Sequence, residues 1–217
     1  MQRRQEVERA LALIAAVAVA ASALAWMAMP ADVRVPVHWG IDGSPDRWGG
    51  RWQVALSLPV VLIAMAVGAR WLGRTPAGET AIVASPHAWR AGWIGAGLVV
   101  LVAHLGMVAL AAGLIAETPL PVVIASAALM IVWIGNAVAK SAPNRVTGVR
   151  TRATLSDPAA WSAANRLAGW TLVLTGLVVL ALTLAGLVTL AAQALIAGAV
   201  ATAVVAALAG LAARRRS

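Results

Sequence analysis

His38, Asp42 and Asp46 fall at even four-residue intervals in VPVHWGIDGSPDRWGGRW, residues 35–52, among three Trp and two Arg. An imidazole and two carboxylates are ligand types that suit zinc or manganese. A loop rich in Gly and Pro does not fix three ligands the way the helical spacing of H-E-x-x-H does. The set therefore reads first as a turn, with no metal expected. Val33, Val35, Val37 and Trp39 alternate with Arg34, Pro36 and His38, a period of two that predicts an extended stretch, with Pro36 at a sheet edge. In the DGSPD that follows, Asp42 and Gly43 supply turn chemistry, Pro45 fixes its own φ, and Asp46 is placed to accept nearby backbone amides. Trp48 and Trp52 suit a membrane headgroup level. Because aromatic and Arg residues together anchor binding, the stretch is either a binding surface or a cap that seals the segments on either side of it.

A second polar stretch, residues 140–166, reads KSAPNRVTGVRTRATLSDPAAWSAANR. Residues 141–155 read as irregular, with Gly148 giving the backbone room. A helix is expected from SDP onward, with Ser156 as N-cap, Asp157 at the positive helix end and Pro158 in the first turn. Arg150, beside Thr151, carries a planar guanidinium suited to two-point contact with a carboxylate or a phosphate. His104 and Asn136 sit inside apolar runs, where polar groups are costly; both read as interhelical hydrogen-bonding residues, since a proton relay needs more ionisable partners. No G-x-S-x-G, H-E-x-x-H or P-loop pattern is present, and the apolar runs hold no paired carboxylates. The absence of Cys excludes disulfides, thiol nucleophiles and iron–sulfur ligation. No catalytic residue and no cofactor is expected.

The elements that position these two stretches are membrane spans. The chain is 61% hydrophobic and 12% charged over 217 residues, about half the charged fraction of a soluble domain. A helix needs about 20 apolar residues to cross the hydrocarbon core, and six segments meet that length: Leu11–Met29, Val54–Trp71, Trp93–Ile115, Leu120–Val138, Leu167–Gly186 and Leu190–Ala213. The last two come from one apolar run, divided at Thr189 and Gln193. Gly92, Gly95 and Gly97, or Ala197 and Ala201, are candidates for close helix approach.

Arg residues set the orientation. With the N-terminus inside, the inner segments hold Arg3, Arg4, Arg9, Arg70, Arg74, Arg90, Lys140, Arg145, Arg150, Arg152, Arg166 and Arg214 to Arg216; the outer ones hold only Arg34, Arg47 and Arg51. The net charge of +9 is then a positive-inside signature with anionic-lipid contact, not a nucleic-acid surface. The first run, 19 residues long, exceeds a usual signal-peptide core, so an uncleaved first span is expected. The fold expected is all-α, a polytopic membrane protein with six transmembrane helices. Both termini are inside, and the one outer polar loop, 30–53, has short extended structure. Residues 1–90 form an N-terminal two-span domain and 91–217 a four-span domain holding the inner loop 140–166.

NRVTGVRTRATLSDPAAWSAANRLAGW resembles the signature of the SdpI family of bacterial membrane immunity proteins: an Asn, a Gly-x-Arg-Thr, a Thr-Leu, then a Trp and a polar residue before a Gly-containing span. Asn144, Gly148, Arg150, Thr151, Thr154, Leu155, Trp161, Asn165 and Gly169 fill those positions. Asn165 stands where a His is common in the family, which leaves no titrating imidazole there. The first stretch is similar to a small domain of unknown function that often precedes the signature, with Pro36, His38, Gly43, Pro45 and Asp46 matching. The resemblance implies a six-span protein of the bacterial inner membrane that protects its producer from a secreted, membrane-active, sporulation-delaying toxin. In the best-known arrangement it also holds a cytoplasmic transcriptional repressor at the membrane. On that reading Pro36, His38, Trp39, Asp42, Gly43, Pro45, Asp46 and Trp48 meet the toxin or signal outside, and the residues of the second motif relay or bind inside. Two alternatives stay open: a small transporter, which would make His104 and Asn136 essential, and a metal-dependent envelope enzyme, which would depend on His38 and Asp46.

Overall fold

A computed structural model describes residues 2–214 of the chain; Arg215 and Arg216, counted above among the inner cations, lie outside the described residues. The elements are α1 (Gln2–Ala25), β1 (Val35–Trp39), β2 (Pro45–Gly49), α2 (Arg51–Leu72), α3 (Pro76–Ala84), α4 (Pro86–Ala111), α5 (Leu120–Val138), α6 (Arg152–Ser156), α7 (Pro158–Leu184) and α8 (Val188–Arg214). Six of the helices, α1, α2, α4, α5, α7 and α8, are long and apolar enough to cross a membrane. The chain is a multi-pass helical membrane protein whose only sheet among the described residues is one small hairpin.

Helices α1, α2 and α4 pack on one another, α5, α7 and α8 do the same, and α4 also packs on α5, joining the two groups. The first group closes around Val7, Leu11, Ile14, Ala18, Leu62 and Trp89; the second around Ile124, Ala128, Val179 and Ala191. At one end of the bundle lie the hairpin and the turns 112–119 and 185–187; at the other lie α3, the loop 139–157 and the two ends of the described chain.

Several local expectations are corrected. The long apolar run turns at Gly186, where the fifth span was expected to end, while Thr189 and Gln193, expected to divide it, both lie inside α8. Gly186 has φ +78°, its amide donates to the Thr183 carbonyl and the Leu187 amide to that of Leu182. This pair of bonds with a left-handed Gly after the last helical turn is a Schellman stop. Gly95 and Gly97 do sit at close approaches, where a Cβ would come within 2.9 Å of Met130 and 2.8 Å of Leu11, but a Cβ on Gly92 would meet nothing within 4 Å. Ala197 and Ala201 face outward; Gly198 is the residue of α8 pressed onto α7, at Thr175. The helix expected from Ser156 is capped one residue later by Asp157, whose carboxylate accepts the Ala159 amide at 2.8 Å. Ser156 instead ends α6, a short helix within a stretch expected to be irregular. It forms because Thr151 and Thr154 cap it reciprocally, each side chain accepting the other's backbone amide.

Candidate functional site

The loop 139–157 is folded by hydrogen bonds from buried side chains. Asn144, 4% exposed, donates through Nδ2 to Ser85 Oγ (3.0 Å), the Ala142 carbonyl (2.9 Å) and Thr147 Oγ1 (2.9 Å). Its Oδ1 accepts the amides of Val146 and Thr147. Asn165, fully buried on α7, accepts the Val149 amide at 2.7 Å and donates to the Trp161 carbonyl at 3.0 Å. Thr154 Oγ1 donates to the Val149 carbonyl at 2.7 Å, and Trp161 donates through Nε1 to the Ser141 carbonyl at 2.9 Å. Gly148 has φ +86°, and a Cβ there would collide with Asn165 Oδ1 and come within 3.1 Å of the Trp161 ring. Because Asn144, Thr154 and Asn165 are buried, leaving any of these groups unpaired is costly, and such bonds hold one loop conformation.

Six of the eight residues singled out in this loop, Asn144, Gly148, Thr151, Thr154, Trp161 and Asn165, thus build its shape. Two face outward: Leu155, 41% exposed, and Arg150, whose guanidinium donates to the Arg145 carbonyl at 3.1 Å. Elsewhere at this end Arg4 pairs with Glu8 and Glu79, Arg70 with Glu8, and Arg90 with Glu6. Among the described residues, no carboxylate pairs with Lys140, Arg145, Arg150, Arg152 or Arg166. The loop is a rigid platform presenting free positive charge.

At the opposite end β1 and β2 pair antiparallel, with Val35 opposite Gly49 and Trp39 opposite Pro45. The register slips at Val37 and again at Asp46. The first slip sends Val37 toward the cluster of Met29, Val35, Val54 and Met107 beneath the hairpin. The second brings Asp46 to His38, whose Nδ1 donates to the carboxylate at 2.6 Å. The pair is half exposed. The carboxylate that takes backbone amides is Asp42, not Asp46: the Ser44 hydroxyl donates to it at 2.7 Å and the Ser44 amide at 3.1 Å. These bonds, the hydroxyl first, hold the Asp42 carboxyl below the usual carboxylate range. Asp42 is thereby committed to its turn, and among the described residues no group of three His, Asp or Glu is gathered to hold a metal. Pro45, Asp46, Arg47 and Trp48 form an exposed ridge, while Pro36, Trp39 and Gly43 are half-buried. The hairpin reaches across the bundle, since Thr189 at the start of α8 donates to the Asp42 carbonyl at 3.2 Å.

His104 is fully buried and lies 3.0 Å from both Ser22 Oγ and the Ala18 carbonyl on α1, so it is an interhelical residue. Asn136 is not: its Oδ1 accepts from Lys140 on the next turn, at 2.9 Å. Four contributors were not legible in the sequence. Ser85, before Pro86, carries an ordinary N-cap signal, yet its hydroxyl bonds across 57 residues to Ala142. Ser22, Thr189 and Arg51 carry no local signal. Arg51 lies 3.7 Å over the Trp26 ring, which itself meets Trp52 at 4.5 Å.

The SdpI/YfhL protein family matches residues 140–213. A domain of unknown function, DUF1648, matches residues 13–63. The chain thus carries an SdpI/YfhL segment with a DUF1648 segment ahead of it. No curated protein and no solved structure matches the chain. The SdpI segment contains the buried-Asn loop, α6, α7 and nearly all of α8; DUF1648 contains most of α1, the hairpin and the first part of α2. The Thr189 to Asp42 bond joins the two segments.

Proposed function

We propose that this SdpI-family protein is an immunity and signalling protein of the bacterial inner membrane, protecting its host from a secreted membrane-active toxin of the sporulation-delaying type. It acts by binding, without catalysis. The exposed ridge from Pro45 to Trp48, with the His38 and Asp46 pair, faces outward and meets the toxin. The loop from Asn144 to Asn165 faces the cytoplasm, where Arg150 engages an acidic surface of a partner such as a transcriptional repressor. The observation that carries the reading is the division of labour in the loop: six family-signature residues fix one conformation, and Arg150 is left exposed and without a carboxylate.

The transport alternative finds less support. His104 is bound to Ser22 and Ala18, and among the described residues no second ionisable side chain reaches it. The test is survival of a toxin-sensitive bacterium expressing the wild type, Arg150→Ala or His38→Ala, challenged with the sporulation-delaying toxin after membrane insertion of each is confirmed. Protection by the wild type that either well-inserted variant loses supports the proposal. Absence of protection by a well-inserted wild type overturns it.

A further inference from the structure

A cleft of about 600 Å³ opens between α5 and α7 at the Arg-rich end of the bundle. Its floor is where Gly135 and Gly169 let the two helices touch, since a Cβ on either would come within 2.6 Å of the other's carbonyl. Its walls are Trp133 on α5 and Trp170 on α7, the latter 60% exposed. Lys140 and Arg166 stand at the mouth, and among the described residues neither pairs with a carboxylate. Asn136 points outward into the same cleft, its Oδ1 holding the Lys140 ammonium at 2.9 Å.

An exposed Asn on a lipid-facing helix is costly unless something polar meets it. Two cations at the lip, with tryptophans along an apolar shaft, are the complement of an amphiphile that carries negative charge at one end. The volume is that of a small-ligand site and exceeds what an ion requires. We infer that this cleft binds one anionic glycerophospholipid, its phosphate held by Lys140, Arg166 and the Asn136 amide, and an acyl chain lying between Trp133 and Trp170. The lipid would bridge α5 to α7, and so tie α4 and α5 to the SdpI segment that begins at Lys140. The site is independent of the toxin reading.

The test is native mass spectrometry of the full-length protein, released from nanodiscs containing phosphatidylglycerol and phosphatidylcholine of identical chains. The wild type should retain one phosphatidylglycerol about tenfold or more in preference to phosphatidylcholine. The Lys140→Gln/Arg166→Gln double variant should lose that preference, and Arg152→Gln, a cation of the same end outside the cleft, should keep it. Val173→Trp, which fills the shaft, should lose retention of either lipid. Far-ultraviolet circular dichroism confirms folding of each variant. An undiminished preference in the double variant overturns the site. So does an equal loss in Arg152→Gln, which would make the effect a general attraction of the basic end. Displacement of the lipid by millimolar inorganic phosphate would show that soluble phosphate is the ligand, and would also overturn it.

Discussion

Gly148→Ala tests whether the buried-Asn loop is held by side chains or merely ordered by its surroundings. Gly148 has φ +86°, a region where an L side chain costs about 1–2 kcal/mol. The added methyl would also collide with Asn165 Oδ1 and displace the acceptor of the Val149 amide, now at 2.7 Å in a buried position. Leaving that donor unsatisfied costs about 1–3 kcal/mol. The two penalties overlap, because a loop that shifts to relieve the first enlarges the second, so the expected loss is about 2–4 kcal/mol. At 1.4 kcal/mol per factor of ten, that is on the order of 30- to 1000-fold in local opening. Hydrogen exchange followed by mass spectrometry, in micelles or nanodiscs, should show this as faster exchange in peptides covering Val149 and Thr154, with α1 and α2 unchanged. Gly92→Ala is the control, since a Cβ there meets nothing within 4 Å and Ala favours a helix. Unchanged exchange around Val149 in Gly148→Ala, or an equal effect in Gly92→Ala, would refute the reasoning.

Other substitutions probe separate parts of the account. Ser22→Ala removes the hydroxyl that bonds the Ala55 carbonyl at 2.7 Å and lies 3.0 Å from His104; it should lower stability by about 1 kcal/mol in mixed-micelle unfolding, and an unaltered midpoint would count against that node. Gly186→Ala places a side chain at φ +78° and should cost about 1–2 kcal/mol, read by the same unfolding assay; no loss would mean that the turn has another conformation. The folded-state pKa of Asp42 is lowered by Ser44, so the turn's contribution is full above the ordinary Asp value of about 4 and is lost as pH falls through the lowered one. Ser44→Ala should move the Asp42 titration upward in carbon-detected NMR, and coincident titrations would dismiss the hydroxyl as the cause.

The spans were legible because length and hydropathy answer directly to the bilayer, and α5 falls on the expected residues Leu120–Val138. The fifth span ends at Gly186 as expected, but the turn itself was assigned to Thr189 and Gln193, because the run holds several Gly and Thr residues and nothing local marks Gly186 as the one in a Schellman turn. The second strand was missed for a different reason. Pro45, Asp46 and Gly49 have poor strand propensity, and their pairing is set by β1 across the turn. Within the loop, Asn144 and Asn165 were legible as special residues but not as scaffold, because their partners Ser85 and Val149 lie 59 and 16 residues away. A sequence shows that a polar residue stands in an apolar setting; only the fold shows which backbone amide it satisfies.

The functional account depends on which side of the membrane each stretch faces, and the absence of cysteine makes that directly measurable. Ser44 on the hairpin and Ser156 at the end of α6 are both exposed and lie at opposite ends of the bundle. Single cysteines at these positions, treated in intact cells with a membrane-impermeant maleimide, should label at 44 and remain unlabelled at 156 until the cells are opened. Labelling at 156 with protection at 44 would invert the orientation and contradict both the outward toxin surface and the inward Arg150 platform.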